Sequence, residues 1–380
     1  MANLSNNFPT GDDLSRDVYC ILGVPIDAGG MQSVLRDIET AAANKVPFFI
    51  SAPNLNTLVN MQTNPDFRES LFQSDLCPPD GMPIVWIARF LGVPIKSRIS
   101  GADIFDALKA ERKFAEPLKV FLFGGAEGVA AAACRALNAK PCGLYCVGSF
   151  YPGFGSVDEM SRDDIIDKIN SSNADFLAVS LGARKGQSWL QRNQHRLLIP
   201  VRVHLGAVIN FQAGTIRRAP RIMRRSGLEW LWRIKEEPYL WRRYWNDGRV
   251  LLRLLVTRVL PLAFWTWWLR MKFEREGQNL VITQERGCKS VTLSLSGPAT
   301  ARYVERVIPV FREAIFTRKQ VIVDFSKTRV IDSRFLGLLL MLRKKLEGTG
   351  AGPIIVGLSP RLESIFRYND LEFLLVDKVV

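Results

Sequence analysis

Short apolar runs alternate with helical stretches in the first half of the chain, from Val18 to about Gln212. Several of these runs end in Gly, Asn or Pro before a helical pattern begins; they include VPFFISAPN, VFLFGGAEGVAAAACRAL, DFLAVSLGARKGQ and VRVHLGAVINF. Strands that alternate with helices predict parallel βαβ units. Sheets of this kind bind ligands at the carboxyl ends of their strands. We therefore predict a Rossmann-like α/β domain with a site at that edge.

The pattern changes twice further along the chain. Residues 217–272 indicate an amphipathic helical segment, in which Arg242, Arg249 and Arg253 fall on one helical face. After Glu276, the strand-like runs VTLSLSG, QVIVDFSK and PIIVGLS alternate with helical ones, which predicts a small α/β domain. The predicted organisation is a loose N-terminus at 1–17, an α/β domain at 18–216, a helical segment at 217–272 and a small domain at 273–380.

The charge of the chain is concentrated in the helical segment. The net charge is +14 over 380 residues. Arg217–Lys272 holds fourteen Lys or Arg against four Asp or Glu, together with seven of the nine tryptophans. A local block of this kind predicts an anionic partner for the segment. A membrane surface and a nucleic acid both fit that description, and a protein partner also remains open for the tryptophans.

No uncharged run in this segment is long enough to form a helix that crosses a bilayer. The longest, VLPLAFWTWWL at Val259–Leu269, is closed by Arg258 and Arg270. It also contains Pro261, which we expect to disrupt the helix. A spanning helix needs about 20 apolar residues. We therefore expect the segment to lie in a membrane interface without crossing it.

The cysteines and histidines do not form a metal-binding pattern. The six cysteines have no regular spacing, and His195 and His204 are the only histidines. No signal-peptide pattern stands at the N-terminus, so we expect free thiols in a reducing cytoplasm. Neither a metal nor a cofactor is expected, and two histidines offer no Ser-His-Asp arrangement.

Three local features could carry chemistry, and each also has a simpler explanation. Gly124 and Gly125 lie between a strand and a helix, where backbone amides can approach a phosphate, although a tight turn needs glycine too. Asp80 lies in the PPDG loop, as a candidate carboxylate or as a turn former. Arg98 can grip a diphosphate in a bidentate manner, or be an ordinary surface arginine.

Seven motifs occur in an order that resembles a known family; they are APNLNTLV, PPDGMPIVW, RISGADIF, FLFGGAEGVA, SLGARKGQSWL, GAVINFQAGTIRRAPRIMRRSGLEWLWRI and EPYLWRRY. From about Val18 to Tyr244, the chain resembles the WecG/TagA/CpsF family of glycosyltransferases. The resemblance implies transfer of a sugar from a UDP-sugar to a polyprenyl-diphosphate-linked saccharide, with inversion and without a required metal. N-acetylmannosamine, its uronic acid, glucuronic acid and other hexoses all fit as the sugar.

The resemblance also implies roles for individual residues. Asp80 would be the catalytic base, which takes the proton of the attacking hydroxyl. Arginines and backbone amides would stabilise the departing UDP. The implied substrate-binding residues are Asn54, Arg98, Asp103, Gly124, Gly125, Lys185, Gln187, Arg233 and Arg243, the last two from a C-terminal appendage that closes over the site.

The sequence departs from the usual family pattern at several positions. Ala52 stands where Thr is usual, and Asn210 where Asp is common. Gly186 and Gln187 replace the Gln-Glu of a common Lys-Gln-Glu motif. Basic residues that often follow the Glu-Pro are replaced by Tyr239 and Leu240. These differences leave the donor sugar open and allow for reduced activity.

A membrane-bound acceptor accounts for the basic and aromatic segment. Arginines can meet anionic headgroups, and tryptophans suit the headgroup boundary. We therefore expect peripheral attachment to the cytoplasmic face of the bacterial inner membrane. The predicted membrane-binding residues are Arg242, Arg249, Arg253, Trp265, Trp267 and Trp268.

The last ~100 residues resemble a STAS domain through VIVDFSKTRVIDSRFLGLLLMLRKKL. In anti-sigma-factor antagonists with this fold, the Asp-Ser-Ser/Thr-Gly-Leu stretch is phosphorylated at the start of a helix. Asp332 and Ser333 remain here, which makes Ser333 a candidate phosphosite, but Arg334 and Phe335 replace the next two residues. A module that docks a protein partner is an equal alternative, and a purely structural role stays open.

The favoured function is a membrane-associated glycosyltransferase of bacterial exopolysaccharide or surface polysaccharide synthesis. The alternative is a catalytically weak scaffold or regulatory protein, which acts on a polysaccharide assembly complex through its STAS domain. A nucleic-acid partner is not expected, although the basic block would suit phosphate backbones.

Overall fold

The computed structural model describes residues 12–110, 116–273, 279–348 and 352–375, with only the backbone described at 268–273. Its strands are β1 Val18–Ile21, β2 Val24–Asp27, β3 Phe48–Ile50, β4 Leu118–Gly124, β5 Leu144–Phe150, β6 Phe176–Ser180, β7 Val201–His204, β8 Val281–Arg286, β9 Ser290–Ala299, β10 Gln320–Ile331 and β11 Ile354–Val356.

The helices are α1 Met31–Ala43, α2 Leu55–Met61, α3 Pro65–Phe72, α4 Met82–Phe90, α5 Gly101–Ala110, α6 Val129–Asn138, α7 Asp163–Asn170, α8 Ala183–Asn193, α9 Val208–Ala213, α10 Arg221–Arg225, α11 Glu229–Glu236, α12 Trp241–Leu254, α13 Leu260–Phe273, α14 Val304–Phe316, α15 Ser333–Glu347 and α16 Pro360–Tyr368. A π-helical turn at Leu255–Val259 follows α12, and short 3-10 turns lie at Asp13–Ser15, Glu159–Ser161, Pro238–Leu240, Ala301–Tyr303 and Glu372–Leu375.

The described residues form two compact units, and the chain passes between them more than once. The first unit comprises residues 29–83 and 96–247. The second comprises residues 12–28, 84–95 and 248 onward. Each unit has its own sheet and core.

The first unit is built on a five-stranded parallel sheet in the order β3-β7-β6-β4-β5. Its central strands are buried almost throughout, as FLAVS in β6 shows, because helices cover both faces. The core on one face includes side chains of α1, α5, α6 and α9, and the core on the other those of α7 and α8. The predicted parallel α/β fold is confirmed.

The second unit contains a mixed sheet in the order β11-β10-β9-β8, in which only the β8–β9 pair is antiparallel. Helix α15 is apolar on nearly every side, and all its residues from Arg334 to Leu342 are buried. A helix of this kind must be covered on more than one face. The sheet alone cannot supply that cover.

The N-terminal hairpin of β1 and β2 packs on α15 within the second unit. The Arg334 guanidinium pairs with Asp17 at 2.9 Å and donates to the Val18 carbonyl at 3.3 Å. Asp13 is buried beside Lys344 at 2.9 Å. Burial acts to raise the pKa of Asp13, but the nearby cations outweigh it and lower that pKa to about 2.

The hairpin changes the predicted organisation at the N-terminus. We expected 1–17 to be loose and Val18 to open the parallel-sheet domain, but residues 12–28 pack with the C-terminal unit. Cys20, Ile21 and Leu22 are buried there. The contact joins residues more than 300 positions apart, so no local pattern could indicate it. The other predicted domain boundaries stay predictions.

Two cysteines differ from the expectation of free thiols. Cys134 on α6 and Cys146 on β5 are joined by a disulfide. Cys20 and Cys77 are buried thiols outside this disulfide, as expected, and the Cys77 thiol donates to the Leu71 carbonyl. Across the described residues, no group of three or more His, Cys, Asp or Glu is arranged to hold a metal ion.

The helix does not break at Pro261, contrary to our expectation. The chain stays helical from α12 through the π-helical turn and on through α13. Proline lacks a backbone N–H and its ring collides with the carbonyl four residues earlier, and a π-helical turn widens the helix just before it. The helical stretch Pro238–Trp267 is therefore long and apolar enough to cross a membrane, by length and composition alone. The lengths of the uncharged runs did not predict a helix of this kind.

Gly337 tests the packing of the hairpin. A Cβ atom at Gly337 would overlap the Val18 carbonyl group and lie 2.7 Å from its carbon. We expect Gly337→Ala to destabilise the second unit by about 1–3 kcal/mol, although alanine favours a helix by about 1 kcal/mol. Thermal unfolding and hydrogen exchange of the hairpin amides measure the effect.

Gly348→Ala at the end of the same helix is the matched control. A Cβ atom there would only touch the Lys345 carbonyl oxygen at 3.5 Å. Equal unfolding midpoints and equal hairpin exchange in the two variants would contradict the close contact.

Candidate active site

Asp80 lies in a loop that is fixed by backbone hydrogen bonds on both sides. Its amide donates to the Pro53 carbonyl at 2.9 Å, just beyond the carboxyl end of β3. The Ile99 amide donates to the Pro79 carbonyl at 2.8 Å. The Gly101 amide, at the start of α5, donates to the Asp80 carboxyl. These bonds place Asp80 at the carboxyl edge of the parallel sheet.

The surroundings of Asp80 favour its protonated form. Burial of the carboxyl raises the pKa of Asp80 to about 7. The charge of Arg98 opposes this shift, whereas Glu229 and Asp103 add to it. A carboxylate with a pKa near neutral is suited to general-base work, because it is both ionised and basic at the working pH.

Arg98 lies between two carboxylates. One of its amino groups is 2.5 Å from Glu229, and the other is 3.1 Å from Asp103. Asp103 also accepts from the Ser100 hydroxyl at 2.6 Å. The structure therefore brings together three of the predicted residues, Asp80, Arg98 and Asp103.

Asp103 collects two further arginines that the sequence analysis did not single out. Arg218 pairs with it, and Arg224 lies 3.1 Å away. Burial acts to raise the pKa of Asp103, but the Ser100 hydrogen bond and the arginine charges lower it. Asp103 therefore holds arginines in place, and its oxygens are already engaged. Only the dense arginine spacing before GLEWLW could have indicated these partners.

Asn54 also has a structural task. It is the N-cap of α2, where its side chain accepts from the Thr57 amide at 3.1 Å. Two residues on, Asn56 donates to the buried Asp247 of α12 at 3.2 Å. Burial raises the pKa of Asp247. The Asn54 segment thus touches the helical appendage, in a contact that the sequence did not indicate.

The glycine turn lies at the predicted edge, but one of its amides is occupied. Gly124 has a φ of +104°, and a Cβ atom there would lie 2.8 Å from the Ser180 carbonyl carbon. The Gly125 amide donates to the Ser180 carbonyl oxygen at 2.8 Å. This bond joins the ends of β4 and β6, so the turn explanation accounts for both glycines. Their contact with a nucleotide stays a prediction.

Lys185 and Gln187 on α8 lie in supporting positions. The Lys185 ammonium donates to the Gly155 carbonyl at 2.7 Å. Gln187 is buried, and its amide donates to the Ser51 hydroxyl at 2.5 Å. Gly186 between them makes room for the ring of His204, with which any side chain would collide. This close contact accounts for one departure from the usual family pattern.

Arg233 and Arg243 have partners other than Arg98 and Asp80. Arg233 pairs with Glu237 and lies over the Phe211 ring at 5.5 Å. Arg243 lies over the Tyr244 ring at 4.9 Å. The appendage residue that reaches Arg98 is instead Glu229, which the sequence analysis did not select.

The profile of the WecG/TagA/CpsF glycosyl transferase family matches residues 19–262. The chain belongs to this family. A second profile, that of the STAS domain, matches residues 279–379. Both resemblances that the sequence indicated are confirmed, and the small C-terminal domain is STAS-like.

Relatives of this family member include two enzymes named N-acetylglucosaminyldiphosphoundecaprenol N-acetyl-β-D-mannosaminyltransferase. The Bacillus spizizenii protein is 30% identical over 202 residues, which are 53% of this chain and 75% of the relative. The Staphylococcus aureus protein is 28% identical over 216 residues, which are 56% and 82% of the two chains. The unphosphorylated anti-sigma factor antagonist SpoIIAA is a structural neighbour at 24% identity and a TM-score of 0.21, covering 23% of this chain and 83% of that one.

Helix α12, the π-helical turn and α13 form one continuous helix, here called the long helix. An apolar stripe runs along it. Its members are four or three residues apart and between 51% and 66% exposed; they are Leu252, Val256, Leu260, Phe264 and Trp267. Leu254, Val259 and Leu262 are buried on another face, and Arg258 pairs with Asp370 at 3.2 Å. One face of this helix is therefore packed on protein while the stripe is open.

The predicted membrane-binding residues divide between these faces. Arg242, Arg249 and Arg253 are exposed, and so is Trp267. Trp265 is half-buried, which makes it a weaker candidate anchor than Phe264. The side chain of Trp268 lies outside the described residues.

Ser333 is the first residue of α15 and is half-buried. Asp332 before it caps the helix, accepting from the Phe335 amide at 2.9 Å and the Ala301 amide at 2.7 Å. Arg334 after it is buried and bound to the N-terminal hairpin. The departure at Arg334 therefore has a packing role, and phosphorylation of Ser333 stays a prediction.

The raised pKa of Asp80 predicts a pH-dependent effect on stability. The folded state binds the Asp80 proton more tightly than the unfolded state, so this contribution is complete below about pH 4 and is lost as the pH rises to about 7. We expect Asp80→Asn to be more stable than the wild type at pH 8, by about 2–4 kcal/mol, and to lose this advantage towards pH 4.5. Unfolding midpoints between pH 4.5 and 8 measure the difference.

Asp164→Asn, at an exposed carboxylate of the same unit, is the control and should show no such trend. An Asp80→Asn advantage that does not change with pH would mean that Asp80 has an ordinary pKa.

Proposed function

We propose that this protein is an inverting glycosyltransferase, which moves a sugar from a UDP-sugar to a polyprenyl-diphosphate-linked saccharide. The observation that carries the proposal is Asp80, a carboxylate with a pKa of about 7 at the carboxyl edge of the sheet, with Arg98 beside it. Family membership supports the reaction type. The two named relatives act on a diphosphoundecaprenol-linked acceptor.

The proposed chemistry is a single displacement. The acceptor hydroxyl attacks the anomeric carbon of the donor while its proton passes to Asp80. A carbon–oxygen bond forms on the side opposite UDP, and the bond from that carbon to the UDP oxygen breaks, which inverts the configuration. Arg98 carries guanidinium N–H groups beyond those bound to Asp103 and Glu229, and they can stabilise the negative charge of the departing UDP. We propose that no metal ion is required.

The donor sugar is the least constrained part of the proposal. The named relatives transfer N-acetylmannosamine, which makes it our first candidate. A uronic acid or another hexose is the alternative, because Ala52 and Asn210 depart from the usual pattern. The product would enter a bacterial exopolysaccharide or another surface polysaccharide.

We propose that the long helix lies flat on the cytoplasmic face of the inner membrane. The open apolar stripe would enter the headgroup boundary while Arg249 and Arg253 meet anionic lipid. A spanning orientation would bring the Arg258–Asp370 pair and the buried Leu254 and Val259 into lipid, which would dismantle packing within the second unit. This packing supports the in-plane arrangement over the spanning one.

Transfer by an Asp80 variant tests the proposed reaction. Wild-type protein with UDP-N-acetylmannosamine and a polyprenyl-diphosphate-linked N-acetylglucosamine acceptor should release UDP and extend the acceptor. Asp80→Asn should bind UDP normally but lower kcat by on the order of 10²-fold or more, because the proton acceptor is lost. Asp164→Asn is the matched surface control, with unchanged turnover. Wild-type turnover in Asp80→Asn would remove Asp80 from the mechanism.

Vesicle binding tests the membrane arrangement. Replacing Leu252, Leu260 and Phe264 by Ser should weaken binding to neutral and anionic vesicles by more than about 10-fold, since each buried apolar side chain contributes about 1.5–3 kcal/mol. Replacing Arg249 and Arg253 by Glu should weaken binding to anionic vesicles only, and mainly at low salt. Co-sedimentation measures both.

Phe316→Ser is the control, because Phe316 is 89% exposed elsewhere in the second unit. Alkaline carbonate should release the protein from cell membranes. Protein that resists carbonate extraction would contradict the in-plane arrangement.

A further inference from the structure

Helices α10 and α11, the part of the appendage at the active site, are held there mainly by ion pairs. Helices α10 and α11 contain no buried side chain, although both are fully described. Leu228, Trp230 and Leu231 around the start of α11 are more than 40% exposed. A segment without a buried core depends on its polar contacts for its position.

Those polar contacts converge on Arg98 and Asp103. Arg218 and Arg224 bind Asp103 from the appendage side, and Glu229 binds Arg98 at 2.5 Å. Arg98 has a side-chain exposure of only 13%, so its guanidinium is largely shielded from solvent. It is held by α5 on one side and by the first residue of α11 on the other.

The charged groups around Asp80 act in opposite directions. Arg98 favours the carboxylate, whereas Glu229 and Asp103 disfavour it; the Gly101 amide also favours the carboxylate. Without Glu229, one negative charge would be lost and the positive charge of Arg98 would act on Asp80 with less competition. Both changes make Asp80 a weaker base.

We infer that Glu229 is a positioning residue, which holds the Arg98 guanidinium between α5 and α11 and so ties the strength of the Asp80 base to the docking of α11. The inference rests on the proposed role of Asp80. It implies that the site reaches full basicity only when the appendage is in place. An enzyme built in this way would keep its base weak until the segment that follows Arg217 has closed.

The pH dependence of transfer tests this role. Glu229→Gln keeps the shape of the side chain and one oxygen that can accept from Arg98, but removes its charge. We expect the rising limb of kcat/KM to move to lower pH, so that at pH 6 the variant keeps about a threefold larger fraction of its plateau than the wild type. The plateau itself should fall, because the variant base is weaker. Arg98→Met should move the limb in the opposite direction.

Glu236→Gln is the matched control on the same helix. Glu236 accepts from the Arg217 amide at 3.2 Å and does not bind Arg98. Its variant should keep the wild-type pH profile. If Glu229→Gln lowers the plateau of kcat/KM but leaves the pH of the rising limb unchanged, Glu229 only supports the fold, and the inference is overturned.

A second readout does not need catalysis. The stability advantage of Asp80→Asn can be measured against pH in the wild-type and Glu229→Gln backgrounds. This advantage stops growing at the pH at which the folded-state Asp80 is ionised, so we expect it to level off at lower pH and at a smaller value in the Glu229→Gln background. An unchanged levelling-off pH would overturn the inference. Absence of transfer with every UDP-sugar would instead overturn the proposed function, while the stability comparison still decides the role of Glu229.

Discussion

The chemistry proposed for this protein depends on one arginine held by two carboxylates. Arg98 binds Asp103 on α5 and Glu229 on α11, and its charge acts on the half-buried carboxyl of Asp80. Removing either carboxylate would leave Arg98 with only one partner and change the balance of charge at Asp80. The glycine turn and α8 belong to the same edge of the sheet, but the charges that set the proton affinity of Asp80 come from Arg98, Asp103 and Glu229.

The fold was readable from the sequence, and the site only in part. The parallel sheet follows from runs such as FLAVS, which are apolar throughout because they are buried on both faces. The sequence motifs indicate Asp80, Arg98 and Asp103, and these three residues do meet in space. Glu229 was not selected, because its role depends on α11 reaching Arg98 more than 130 positions earlier, and no local pattern records such a contact. Asn54 and Gln187 were selected as ligands, but their side chains have structural hydrogen bonds.

The packing of the N-terminal hairpin on α15 is a second long-range contact that no local sequence pattern indicates. The sequence of α15 is apolar on nearly every side, which indicates that more than a sheet must cover it, but not what does. The structure shows that the hairpin supplies this cover, since Arg334 of α15 donates to the Val18 carbonyl of β1. One consequence is that the C-terminal unit cannot be removed at residue 272 without exposing Cys20, Ile21 and Leu22. Pro261 likewise looked like a helix breaker until the π-helical turn before it was known.

The proton affinity of Asp80 is the central claim, and it can be measured at the atom concerned. The full-length protein can be labelled with ¹³C at the aspartate carboxyl carbons, and its spectrum compared with that of Asp80→Asn to identify the Asp80 signal. Its titration should show a midpoint at about pH 7. A midpoint near 4, the ordinary value for aspartate, would contradict the account, because the enclosed carboxyl and its charged neighbours would then have no effect on the candidate base.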